Sequence, residues 1–294
     1  MNILRYKVGG HLFQLSTPYV LSLDNYKPFL QEFCDDTPLF YVLIINELVE
    51  KETTLIKQFD DDVASITTFS LHGGGYRFHI SYPMGEECAI MDIDHTFSNV
   101  SVILKGDIST KNYGLNNCMM ITYALATAAH NTVLVHASVV SHKDQAFLFL
   151  GKSGTGKSTH SRLWLEHIKG CELLNDDNPA IRVFPDKNII VYGTPWSGKT
   201  ACYLNKQFSV GAIVRLRQAP MNKIVTNGHA QAFALLISSC STLSWDNHIY
   251  ESICNTITDI VEATNCYTLD CLPDKAAAEL CRQTVTKATK ECEP

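Results

Sequence analysis

The sequence predicts an α/β protein in two parts. Residues 1–112 form a β-rich N-terminal module, and residues 113–294 form a P-loop domain whose sheet is mixed and partly antiparallel. Three observations predict this. Residues 151–158 fit the pattern G-x-x-x-x-G-K-[S/T] between an apolar run and a helical period. The apolar run is the second arm of a hairpin, so its sheet is not wholly parallel. Before residue 110, short apolar runs alternate with glycine-rich punctuation.

In the first part the strands fall at 2–8, 39–45, 63–71, 76–82 and 100–105, with Gly9-Gly10, Gly73-Gly74-Gly75 and Pro83-Met84-Gly85 between them. From Tyr76 to Tyr82 the aromatics and Ile80 share one face, with Arg77, His79 and Ser81 on the other, a half-buried antiparallel pattern. His72, His79 and His95 read as paired or solvated side chains, and this part carries no recognisable chemistry. A helix over 113–130 opens the second part. Its stretch 113–129 holds no formal charge, yet it is interrupted by Asn116, Asn117, Thr122 and Thr127 and falls short of the roughly 20 apolar residues that cross a bilayer. It reads as a buried helix.

The second part continues with a strand over 132–140 that carries His136, a turn over 141–145 and a strand over 146–150. The glycine loop follows, then a helix over 159–169 with Leu163, Trp164 and Ile168 on one period and a stop at Gly170. His160 and His167 read as surface positions on that helix, and His142 as a solvated turn residue. Strands at 171–174, 180–183, 189–192 and 210–217 come next, with Asp176 and Asp177 following the first of them. Helices at 230–239 and 248–263, a strand at 266–269 and a helix at 275–286 complete the chain.

Composition excludes several classes. Hydrophobic residues make 46% of the chain and charged ones 18%, the balance of a globular protein. A net charge of −6 argues against a nucleic-acid-binding face. Eleven cysteines at irregular spacing, with no C-x-x-C and no secretory leader before them, read as reduced thiols in a cytoplasmic protein with neither a membrane partner nor a metal cluster.

The loop Gly151, Lys152, Ser153, Gly154, Thr155, Gly156, Lys157, Ser158 matches the Walker A pattern at every defined position. With Thr159 at the helix start it reads as a nucleotide site. Its backbone N–H groups and the helix dipole cradle phosphate, Lys157 reaches the β/γ-phosphates, and Ser158 offers a hydroxyl to Mg²⁺. Asp176 and Asp177, beside that strand, read as a proton acceptor and a metal-side carboxylate, because adjacent residues of an extended chain face opposite ways. A plain Asp-Asp-Asn-Pro turn fits the same residues. In the loop at 191–200, Trp196 reads as the wall of a substrate or base pocket, and Ser197, Gly198 and Lys199 as a second anion nest.

Three segments appear in order: His136-Ala137-Ser138-Val139-Val140, the glycine loop, and Leu173-Leu174-Asn175-Asp176-Asp177-Asn178-Pro179-Ala180-Ile181-Arg182. Together they resemble the catalytic domain of HPr kinase/phosphorylase and, more distantly, phosphoenolpyruvate carboxykinase, over roughly residues 125–290. The resemblance implies a kinase-like P-loop core in which a hairpin precedes the loop, ATP and Mg²⁺ as cofactors, and phosphoryl transfer to a serine-type hydroxyl. It also implies roles: Lys157 on the transferring phosphate, Ser158 and Asp177 on the metal, Asp176 as proton acceptor, His136 orienting that group. Subunit association is a further implication, though no interface signature stands in the sequence. Residues 191–200 carry no carboxylate where HPr kinases have a glutamate-containing stretch, which separates this chain from a bifunctional enzyme acting on HPr. The acceptor on this reading is a protein, a peptide or a small molecule. The competing reading is a nucleotide-binding sensor or scaffold that transfers nothing.

Overall fold

A computed structural model describes residues 1–32, 36–60, 64–83, 85–198 and 200–288. The chain is mixed α/β, strand-rich, and divides into two units, Met1–Thr127 and Ala128–Pro294. The helix that sequence grouped with the second part therefore goes with the first. It is α1, Ile108–Ala128. Its Asn116 accepts from Asn25 and Tyr26, Thr122 donates to Met91 Sδ, and Tyr123 donates to the Val8 carbonyl.

The first unit is an eight-stranded mixed sheet. Its strands are β1 (Asn2–Val8), β2 (His11–Thr17), β3 (Phe40–Ile44), β4 (Thr53–Asp60), β5 (Ser65–Leu71), β6 (Tyr76–Ser81), β7 (Glu87–Ile93) and β8 (Asn99–Leu104). They lie in the order β1-β2-β3-β8-β7-β6-β5-β4, and Val63, the expected start of β5, is outside the described residues. Sequence did not anticipate β2, β4 and β7. The edge strand β4 is exposed on nearly every residue, so it lacks the apolar alternation of a half-buried strand. Strand β7 holds Glu87 and Asp92 inside an otherwise apolar run. Asp92 sits directly across from Arg77 of β6, which donates to both of its oxygens at 2.6 and 2.9 Å.

The second unit holds β9 (Thr132–Leu134), β10 (Ala137–His142), β11 (Gln145–Leu150), β12 (Cys171–Asp177), β13 (Ala180–Val183), β14 (Ile189–Tyr192) and β15 (Gln207–Gln218). Their order is β12-β10-β11-β15-β14-β13-β9. Two more, β16 (Lys223–Thr226) and β17 (Cys266–Cys271), continue from the far half of β15. Four helices complete it: α2 (Lys157–His167), α3 (His229–Ile237), α4 (Asn247–Ala263) and α5 (Lys275–Ala288). Leu163 and Trp164 of α2, with Ala278, Cys281 and Val285 of α5, pack on Phe147, Phe149, Val214 and Leu269 of the sheet.

Two expectations change here. The single strand at 132–140 is two strands, broken at Val135 and His136. Strand β9 pairs with β13 at one end of the strand order, while β10 lies between β11 and β12 near the other. Three Cα steps reach at most about 11 Å, so the sheet must curl until those two ends meet. Asn178 and Pro179 bridge the same seam from β12 to β13. The second change is that β12 runs on through Asp176 and Asp177, which sequence set beyond the strand's end.

Candidate functional site

Strand directions gather five segments at one end of the second sheet. Strand β11 is antiparallel to β10, β10 antiparallel to β12, and β11, β15 and β17 run parallel. The end at which β11 gives way to Gly151 is therefore also where β12 ends at Asp177, β15 at Gln218 and β17 at Cys271. It is also where β10 begins, next to His136.

Between β11 and α2, Gly154 and Gly156 hold φ of +79° and +100°, which glycine adopts without the Cβ penalty of other residues. Thr155 closes the loop by donating its N–H to the Lys152 carbonyl at 3.1 Å and its hydroxyl to the same atom. Helix α2 starts at Lys157 with no side-chain cap on Gly156 and no acidic residue in its first turn. Its first internal bond is His160 N–H to the Gly156 carbonyl, 2.8 Å. The preceding N–H groups, on Lys157, Ser158 and Thr159, have no acceptor within the helix, and the dipole makes that terminus positive. This is the chemistry of an anion site.

Beside the loop, His136, Lys157 and Asp177 form a chain. Lys157 Nζ lies 2.7 Å from His136 Nε2 and donates to the Gly151 carbonyl at 2.9 Å. His136 Nδ1 lies 2.9 Å from Asp177 Oδ1, and Asn178 donates to Asp177 Oδ2 at 2.8 Å. An ammonium donating to Nε2 requires a lone pair there, so this bonding pattern assigns the ring proton to Nδ1, facing Asp177. Burial lowers the Lys157 pKa from its ordinary value, while the charges of Asp177 and Asp176 oppose that shift. The break between β9 and β10 serves this geometry. His136 leaves the ladder, its N–H donating to the Ser239 carbonyl at 2.7 Å.

Asp176 is 6% exposed, and neither carboxylate oxygen has a hydrogen-bond partner. It pairs across the ladder with Ser138, whose hydroxyl lies 2.6 Å from that of Ser161 on α2. The acidic pair thus divides as an extended chain requires: Asp176 on the Ser138 side, Asp177 on His136.

Sequence reasoning missed Asn175. It is fully buried, and its amide donates to Thr194 Oγ1 at 3.1 Å and to the Trp196 carbonyl at 3.2 Å, while its Oδ1 accepts the Asp177 N–H at 3.0 Å. One side chain thereby fixes β12 and the 194–197 segment together. The signal was an amide beside two carboxylates, but its partners lie too far along the chain to be read.

Other expectations are corrected. Trp196 is 2% exposed and fills the core instead of walling a pocket. Gly198 donates its N–H to the Asp176 carbonyl at 3.3 Å, so that N–H is turned into the fold and not toward an anion, and the Ser197 hydroxyl donates to the Thr200 carbonyl at 2.6 Å. Lys199 lies outside the described residues. His160 is buried, accepting from Trp164 Nε1 at 3.1 Å, and burial pushes its pKa down to about 4. His142 is buried on β10 and not solvated, the turn being Lys143 and Asp144 alone.

No protein-family model matches the chain, and no curated protein matches it. Among solved structures it is similar to the Hpr(Ser) kinase/phosphatase from Coxiella burnetii, at 14% identity over 55% of this chain and 99% of that one, with a TM-score of 0.33. A superposition of that quality carries no argument about activity.

Proposed function

We propose that the second unit is an ATP- and Mg²⁺-dependent phosphotransferase that acts on a hydroxyl acceptor. The observation that carries this reading is Asp176, a buried carboxylate that accepts no hydrogen bond and whose charge acts on Lys157 of the glycine loop. An unpaired buried charge is costly, and a proton acceptor awaiting a substrate hydroxyl gives that cost a purpose.

The N–H groups of the glycine loop and of the start of α2 would hold a triphosphate. Thr155 is excepted because its N–H already donates to the Lys152 carbonyl, and Lys157 would reach the β/γ-oxygens. Loop dipoles and the ammonium then face the charge that develops on the transferring group. The acceptor oxygen bonds to Pγ as the bond from Pγ to the bridging oxygen breaks. ADP leaves with that electron pair, and the hydroxyl proton passes to an Asp176 oxygen. His136 positions Lys157, and Asp177 fixes the ring. Ser158 and Asp177 suit Mg²⁺, since hard oxygen donors are its preference and each Asp177 oxygen keeps lone pairs beyond its one hydrogen bond. Bound there, the ion neutralises charge on the β- and γ-oxygens.

The test is thermal shift and ATP hydrolysis on wild type and Lys157→Ala, each with and without Mg²⁺. Mg²⁺–ATP at 100 times its Kd adds about 2.7 kcal/mol to wild-type stability, and hydrolysis is lost in Lys157→Ala. Stabilisation without turnover would transfer the site to a nucleotide sensor. No stabilisation by any nucleotide sinks the reading.

A further inference from the structure

Val214 and Leu269 face α2 and α5, so their chain neighbours Arg215 and Thr268 project from the opposite side of the sheet. There Arg215 of β15 stands between Leu150 of β11 and Thr268 of β17. Arg217, two residues on, is bidentate to Asp270 at 2.6 and 2.8 Å. Arg215 has no such carboxylate: it is half-buried and, among the described residues, nothing accepts from its guanidinium. Its polar neighbour Thr268 donates its hydroxyl to Asn227 Oδ1 at 3.0 Å. That bond orients the Asn227 amide. The residue is 6% exposed, and Nδ2, the arm that Thr268 does not hold, has no acceptor. Asn227 leads directly into α3, where Gly228 supplies no side-chain cap and the first turn holds no acidic residue. The leading N–H groups of that helix have no acceptor within it. Val225, opposite Thr268 on the same face, is 43% exposed, so the face meets solvent at this point.

We propose that Arg215, Asn227 and the start of α3 form a binding site for a phosphate group, separate from the glycine loop. Buried donors that reach no acceptor are costly, and here a guanidinium fork, an amide N–H and a helix terminus are neighbours with no acceptor left among them. Each of the three is a donor that recurs around bound phosphate. A carboxylate has two oxygens in one plane, which the fork alone satisfies. A phosphate group has three or more acceptor oxygens set tetrahedrally, and so meets donors that arrive from a strand and from a helix end at once. Lys223, opposite Asp270 on the same face, adds positive charge beside the site. Nothing in the phosphoryl-transfer steps uses these residues, so the site stands whether or not the loop holds a nucleotide.

The experiment titrates the full chain with inorganic phosphate by calorimetry at constant ionic strength, in Lys157→Ala, where the loop lacks its lysine. Phosphate binds to that variant, and adding Arg215→Gln weakens it by about tenfold or more. Phosphate affinity that Arg215→Gln leaves unchanged overturns the proposal, as does a Lys157→Ala chain that binds no phosphate at all. Acetate bound as tightly as phosphate overturns the phosphate assignment, because the fork alone then accounts for the binding. Should the Arg215→Gln chain not fold, Asn227→Asp decides. It keeps the acceptor for Thr268 and sets a negative charge where the unpartnered N–H stood, so phosphate binding is lost. Undiminished binding in that variant rejects the site.

Discussion

Each unit buries an aspartate on a sheet, and the two are treated oppositely. Asp92 in the first unit is 5% exposed, bidentate to Arg77 and 3.5 Å from Lys51 Nζ. Asp176 in the second is 6% exposed and has no hydrogen-bond partner on either oxygen. Cross-strand register explains the contrast: Arg77 stands opposite Asp92, and only Ser138, engaged with Ser161, stands opposite Asp176. A buried carboxylate that serves the fold is paired within it. One left without a hydrogen-bond partner lowers stability, and the proposed role of Asp176 as proton acceptor gives that cost a purpose.

The sharpest way to break this comparison is to neutralise both carboxylates. Asp176→Asn lowers phosphoryl transfer by about 10²–10⁴-fold while nucleotide binding persists and the melting temperature stays level or rises. Asp92→Asn does the reverse, costing about 3–5 kcal/mol in denaturant unfolding because Arg77 keeps a charge that has lost its counter-ion. An active Asp176→Asn enzyme would remove the base assignment.

A smaller effect concerns His160, buried with Trp164 as its hydrogen-bond partner. Its folded pKa of about 4 lies below the ordinary histidine value of 6.5, so on acidification the unfolded chain binds the proton first. Stability from the neutral ring is complete above pH 6.5 and is lost as pH falls through 4, amounting to about 3 kcal/mol. Unfolding followed between pH 7 and 4 shows that slope in wild type, and His160→Gln flattens it. A slope that persists in the variant assigns it to other groups. The smallest effect tests an ordinary paired aspartate. Asp246 caps α4 by accepting the Ile249 N–H at 3.0 Å, and Asp246→Ala costs about 1 kcal/mol.

What the sequence made legible follows from range. Local chemistry marked the glycine loop, the hairpin into it and nearly every element of the second unit. The loop contacts use residues within a few positions of one another. His136 was visible as a candidate, but the break that frees it was not, because Val133, Leu134 and Val135 continue an ordinary strand pattern. The break arises from a seam with β13 that only the curled sheet creates. Turn-forming Asn178 and Pro179 hid the extension of β12 through Asp176 and Asp177. Strand β16, four mostly exposed residues, carried too little apolar periodicity to register. Asn175 depends on Thr194 and Trp196, which no local rule connects to it.

The strand directions that collect the site at one end of the sheet put the β10–β11 turn at the other. There β10 turns into β11 through Lys143 and Asp144, both with positive φ, on a surface that no proposed ligand approaches. That turn is where a peptide tag, a dye or a surface tether belongs. A molecule held there would present its glycine loop outward, and insertions of a few residues would leave turnover intact.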